Sequence, residues 1–299
     1  DSYSGETTLV GTSAAFSYSA SSFHQGEADP TPTITGTTGG TFSATPSGLS
    51  INTSTGTIDL DNSTIQSYTI TYTVSGVSAN QTLAVTASPF VDNNFSMEFD
   101  SASSQYVNAG NDASLNFGTG NGSVSCWFKT TQNVTGAVDL VINGGFSTGG
   151  KAYILYLDSS EKVGFALDDN SSPTTPAQSS GSVADGNWHH VIGVRESGNI
   201  KLYLDGSLVS TQTDSTGNID STDPLIIGAG MNASTGVVGN FYDGKIDEVA
   251  IWNAALSSDA ITEIYNATAN NTGKVLDLNT DTGNYTSSAN LQYWNRLGD

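Results

Sequence analysis

Residues 68–74 read Tyr-Thr-Ile-Thr-Tyr-Thr-Val, a strict alternation of apolar and hydroxyl side chains. In an extended chain, successive side chains point to opposite faces. Tyr68, Ile70, Tyr72 and Val74 therefore share one face, while Thr69, Thr71 and Thr73 share the other. A helix would scatter the same residues around its axis. The pattern returns in short runs along the chain, at 123–129, 153–157, 162–167 and 200–204, with Gly-, Asn- and Asp-rich turns between them. Short alternating strands with turn residues at this spacing specify an all-β chain of antiparallel strands.

Composition narrows what such a chain can do. The 299 residues carry 8 Lys and Arg against 29 Asp and Glu, a formal net charge of -21. Phosphate binding needs a basic face, so no nucleic-acid partner is expected. Cations fit the balance better. Cys126 is the only cysteine, so no intrachain disulfide can form. It alternates with Val124 and Phe128, which predicts a buried core thiol. No run is long and apolar enough for a membrane helix, and no membrane insertion is expected.

The chain divides by composition. Residues 1–90 are rich in Thr, Ser and Gly, with strands expected at 14–18, 31–35, 41–44, 49–52, 57–60, 68–74 and 82–86. Gly48-Leu-Ser, Thr55-Gly-Thr-Ile and the strand at 68–74 resemble bacterial immunoglobulin-like or cadherin-like repeats. The resemblance implies an immunoglobulin-like β-sandwich acting as a spacer or assembly unit. A seam is expected near 88–94, where Pro89 cannot donate to a strand ladder.

Residues 91–299 carry a second pattern. Asp185-Gly-Asn-Trp-His-His-Val, Ile200-Lys-Leu-Tyr-Leu-Asp-Gly, Pro224-Leu-Ile-Ile-Gly and Phe241-Tyr-Asp-Gly-Lys-Ile-Asp-Glu-Val-Ala-Ile-Trp occur in this order. Together they resemble the laminin-G-like jelly roll, a relative of the concanavalin and pentraxin sandwiches. The resemblance implies two antiparallel sheets, a first hairpin over 95–100 and 105–107, and a closing strand over 291–294 beside the first. It also implies one short helix, which the residues themselves predict over 258–266. Ser257 is placed to cap it, Asp259 sits in its first turn, and Leu256 and Ile261 stand at the two positions of a hydrophobic staple. The loop at 168–182 is too long for a tight hairpin and reads as a functional rim or an insertion.

Glycan-cleaving relatives of this sandwich carry a Glu-x-Asp-x-Glu or Glu-x-Asp-x-x-Glu strand, which puts two carboxylates on one face for acid and nucleophile. The glutamates here are Glu6, Glu27, Glu98, Glu161, Glu196, Glu248 and Glu263, and none has that spacing. No catalysis is expected. His189 and His190 fall on opposite faces of one strand and cannot share a metal, so both read as structural. Strand parity breaks at 247–248, because Ile246 and Val249 both suit the core; a bulge is expected there. Calcium is the one cofactor expected, with Asp247 joined by oxygens from Asp100 and Glu98. For a glycan, loop aromatics with amide or carboxylate neighbours are needed; the candidates are Phe146 with Asn143, and Tyr242 with Asp243.

The expected function is a non-enzymatic structural or adhesive protein outside cells, on a cell surface or a virion. It would form a homo-oligomer or larger assembly and bind glycans through the jelly roll. A carbohydrate-binding module of a glycan-degrading system is the alternative.

Overall fold

The computed structural model describes residues 11–146, 150–171, 173–270 and 273–299. The chain forms two compact units, Asp1–Pro89 and Phe90–Asp299. Strands dominate both, and the single α-helix among the described residues is Ser258–Ala269.

In the first unit, Gln66–Val74 is the long central strand. It pairs with Val77–Thr86 through a tight turn and with Thr41–Thr45 on its other side. The alternation works as the sequence predicts: Tyr68, Ile70, Tyr72 and Val74 are buried with Phe42, Ile58, Leu60 and Leu83. One strand was not legible. Ser22–His24 runs parallel to Val77–Thr86 at the sheet edge. Only Phe23 of its three residues enters the core, so it has no alternation to read.

The second unit is a jelly-roll sandwich. A seven-stranded sheet contains, in order, Met97–Phe99, Gly244–Trp252, Gly122–Lys129, His189–Glu196, Asn199–Leu204 and Ser207–Thr213, with Leu291–Asn295 also on Gly244–Trp252. A six-stranded sheet contains Val107–Asn108, Leu225–Ile227, Val138–Gly144, Ala152–Leu157, Val163–Asp168 and Ala177–Gln178. Val124, Cys126, Phe128, Val191 and Ile251 from the first sheet meet Tyr153, Leu155, Phe165 and Ile227 from the second in the main core. Cys126 is fully buried there, and burial pushes its thiol pKa up, so it is inert packing.

The first and last strands adjoin as expected. Met97–Phe99 pairs with residues 244–246 of the long strand, and Leu291–Asn295 pairs with residues 249–252 further along it. Asp299 ties the two ends: its carboxylate accepts from Asn94 N at 3.2 Å and Phe95 N at 3.1 Å. The expected first hairpin does not form. Met97–Phe99 and Val107–Asn108 lie in different sheets. Between them Asp100 closes a turn, accepting from Ala102 N at 2.9 Å and Ser103 Oγ at 2.6 Å, so the chain crosses from one sheet to the other. The loop at 168–182 is partly ordered into the sheet, since Ala177–Gln178 pairs with Val163–Asp168.

A second core lies on the outer face of the seven-stranded sheet. Parity sends Ile192, Val194, Ala250 and Trp252 outward, and the helix covers them with Ala260, Ile261 and Ile264. Ser257 caps the helix, accepting from Ala260 N at 3.2 Å, and Leu256 and Ile261 are both buried. Trp252 Nε1 donates to Tyr285 Oη at 2.9 Å, and that hydroxyl donates to Leu278 O at 2.8 Å, so the polar atoms of this core are paired.

Candidate functional site

The same parity places Trp127. With Val124, Cys126 and Phe128 turned inward, Trp127 faces outward, beyond the end of the helix-covered core. Its ring stacks on His190 at 4.8 Å and on Tyr265 of the helix at 5.7 Å. Its strand partner on one side is His190 and on the other Asp247. The segment 93–96 and the last helical turn, with Thr268, close in around them. The result is a groove of about 460 Å³, whose lining includes Trp127, Trp188, Tyr265, Phe95, Asn93 and Asp247.

The polar side of the groove is built by the bulge. Pairing jumps from Ser125↔Ala250 to Trp127↔Asp247, and Glu248 takes a positive φ of 51°. Asp247 is 5% exposed and accepts from Asn93 Nδ2 at 3.0 Å and from Glu248 N at 2.8 Å. Burial pushes its pKa up to about 6, against the pull of those hydrogen bonds. Asn93 Oδ1 is buried and has no hydrogen-bond partner, an acceptor rarely left so in a protein interior. Glu248 does not line the groove. Its carboxylate accepts from Trp294 Nε1 at 2.5 Å and Arg296 Nε at 3.3 Å, and burial raises its pKa to about 8.

His190 is 2% exposed, and burial lowers its pKa to about 4, so it is neutral at pH 7 and serves as a flat backing for Trp127. His189 points the other way and holds Asp205 at 2.8 Å. The two histidines therefore lie on opposite faces, as the strand geometry requires.

The residues singled out from sequence are dispersed. Glu98 is exposed on the edge strand opposite Lys245, Asp100 is committed to its turn, and Asp247 to the groove. Among the described residues, no group of three or more His, Cys, Asp and Glu side chains could hold a metal ion. The three carboxylates thus do not converge. Tyr242 is fully buried in the main core and cannot be a sugar platform. Asn143 is 3% exposed; its amide donates to Leu115 O and Asn116 Oδ1, both at 3.2 Å, which is structural work. Asp243 is exposed and lines a shallow depression with Glu98 and Lys245. Phe146 is 37% exposed and lines a separate cavity on the six-stranded sheet. Trp127 and Trp188 were visible in sequence only as parts of strand signatures. The signal that finds Trp127 is parity: three inward neighbours force the indole out.

Residues 99–262, more than half of the chain, match the Laminin_G_3 family of concanavalin A-like lectins and glucanases. The chain belongs to the concanavalin A-like lectin/glucanases superfamily. Among solved structures, a putative carbohydrate binding protein from Bacteroides ovatus resembles it with a TM-score of 0.59 at 11% identity, over 94% of this chain and 88% of that one. The CBM40 of the Ruminococcus gnavus IT-sialidase, bound to α2,6 sialyllactose, gives 0.43 at 18% identity over 58% and 96%. A heptameric SAP-like pentraxin from Limulus polyphemus gives 0.40 at 16% identity over 50% and 70%. At these identities the likeness is one of fold. No curated protein matches the chain.

Proposed function

We propose that this superfamily member binds glycans, without cleaving them, in the groove on its seven-stranded sheet. The observation that carries the reading is the juxtaposition of Trp127, Trp188 and Tyr265 with Asp247 and Asn93 in one opening. A sugar ring presents an apolar face to an aromatic ring and hydroxyls to acceptors and donors at its edge. The Bacteroides ovatus protein of similar fold, a putative carbohydrate binding protein, agrees with this reading. None of the groove's lining residues is Lys, Arg or His, so the groove suits a neutral sugar over an acidic one. Only one carboxylate, Asp247, lines it, where glycoside hydrolysis ordinarily needs two. That supports binding without turnover.

The test is a glycan array followed by titration of the best neutral ligand. Trp188→Ala should weaken binding about 10-fold or more, equivalent to about 1.4 kcal/mol. Unchanged affinity in that variant removes the groove from the reading. Steady release of smaller saccharides by the purified protein overturns the non-catalytic part.

Self-assembly at a cell or virion surface is a second proposal, and one feature favours it. The edge strand Ser207–Thr213 carries Leu208, 52% exposed, and Val209, 42% exposed, beside unpaired backbone groups. Such an edge is a template for pairing with another chain. Light scattering at rising protein concentration should show association that Leu208→Lys suppresses. A monomer at every concentration rejects it.

A further inference from the structure

The six-stranded sheet has its own opening, independent of the groove. It is a cavity of about 600 Å³ on the outer face, between the strands Val138–Gly144, Ala152–Leu157 and Val163–Asp168 and the segment 230–240. Ile154, Ala166, Met231, Phe146 and Tyr156 are among its lining residues, and Asp139 contributes a carboxylate. None of the lining residues is Lys, Arg or His. Its size lies within the range of small-molecule sites, and its apolar walls with one charged group are the composition such sites have.

Asp139 is the unusual member. It is 4% exposed, and the one hydrogen bond its side chain accepts among the described residues comes from Asn240 Nδ2 at 3.4 Å, which is long. A buried carboxylate ordinarily has a cation or several donors. The chain leaves room for it by sequence: a Cβ on Gly230 would stand 1.7 Å from Asp139 Oδ2.

We propose that this cavity binds a small organic cation, an ammonium group carrying an apolar body, with Asp139 as the counter-charge. The ammonium supplies the partner that the fold withholds. Phe146 and Tyr156 line the same cavity, and aromatic rings attract a cation. The aliphatic wall of Ile154, Ala166 and Met231 takes the apolar body. An anionic ligand would meet a carboxylate with no compensating cation, and a neutral one would leave the buried charge uncompensated. Without ligand, burial pushes Asp139 up to about 7, so the site charges over the neutral range. Tyr156, the other titratable group lining the cavity, is raised to about 12 and stays neutral there.

The test uses the full chain and two probes, benzyltrimethylammonium and benzyl alcohol, followed by calorimetry. The quaternary ammonium has no titratable proton, so any pH dependence belongs to the protein. At pH 8 it should bind at one site at least 10-fold more tightly than the alcohol. Its affinity should fall at least 10-fold between pH 8 and pH 5, while the alcohol's stays flat. Asp139→Asn should erase the preference, and Trp188→Ala should leave it unchanged. Absence of saturable binding, equal affinities, or a preference that survives Asp139→Asn overturns the proposal. A preference lost in Trp188→Ala instead places the cation in the groove and also overturns it. If Asp139→Asn does not fold, the pH profile of the unaltered protein decides: a flat profile for the ammonium rejects the site. Glycan binding is read separately, so failure of either site leaves the other standing.

Discussion

Trp127 and Asp247 face each other as partners across two adjacent strands, and the bulge at Glu248 sets that register. Uninterrupted pairing from Ser125↔Ala250 would set Glu248 opposite Trp127; the extra residue puts Asp247 there instead. The groove thus depends on one backbone irregularity as much as on its side chains, in keeping with the frequent placement of bulges beside functional sites.

The aromatic and polar halves of the groove should separate by substitution. Trp127→Phe keeps the stack on His190 and should cost a few-fold in glycan affinity. Asp247→Asn removes an acceptor oxygen and should cost about 10-fold, since each lost hydrogen bond to a charged group is worth about 1.5–3 kcal/mol. Titration calorimetry with one neutral ligand measures both. Equal, negligible effects of the two changes would show that the ligand sits elsewhere.

Removal of divalent ions should leave the melting temperature unchanged. Calcium takes six to eight oxygens, whereas Asp247 is held by Asn93 and the Glu248 amide and Asp100 by its own turn. Thermal melts with EDTA and with added calcium check this. A fall in melting temperature with EDTA that Asp247→Asn abolishes would instead place an ion at that carboxylate.

Stability should fall as pH rises from about 6.5 to 8.5. Glu248 and Asp139 have folded pKa values raised to about 8 and about 7, so in that window the folded state still holds protons the unfolded chain has released. The folded state binds more protons, and raising pH therefore favours unfolding. His189, raised by its hydrogen bond to Asp205, acts in the same direction. The summed loss is about 2 kcal/mol at roughly 1.4 kcal/mol per unit of displacement. Urea unfolding across this range gives the slope, and Glu248→Gln should flatten its upper part. A stability that climbs with pH in this window contradicts the assignment.

Gly193→Ala should destabilise the sandwich by about 1–3 kcal/mol through overpacking. Gly193 lies on the seven-stranded sheet, and a Cβ there would come within 2.3 Å of the Phe165 ring from the facing sheet. The closest atoms belong to a fully buried ring in the main core, which has little room to yield. Chemical denaturation measures the loss, and an unchanged midpoint would show that the sheets can part locally.

The sequence by itself determined the strands whose side chains alternate, because period two is a local property: Gln66–Val74 and Gly122–Lys129 stand where residues 68–74 and 123–129 predict them. It also determined the helix, through Ser257 and Leu256, and the bulge, through the broken parity of Ile246 and Val249. Cys126 and the two histidines followed from the same alternation. It did not place Ser22–His24, whose partner lies some sixty residues away, nor distinguish a hairpin from a crossing at Asp100, since a turn does not state which sheet follows it. The groove was decided only by the tertiary structure. Trp127, Trp188, Tyr265, Asn93 and Asp247 come from separate segments, and each has an ordinary local role in strand, turn or helix. Their meeting depends on sheet register and on where the helix ends, both fixed by packing across the whole unit.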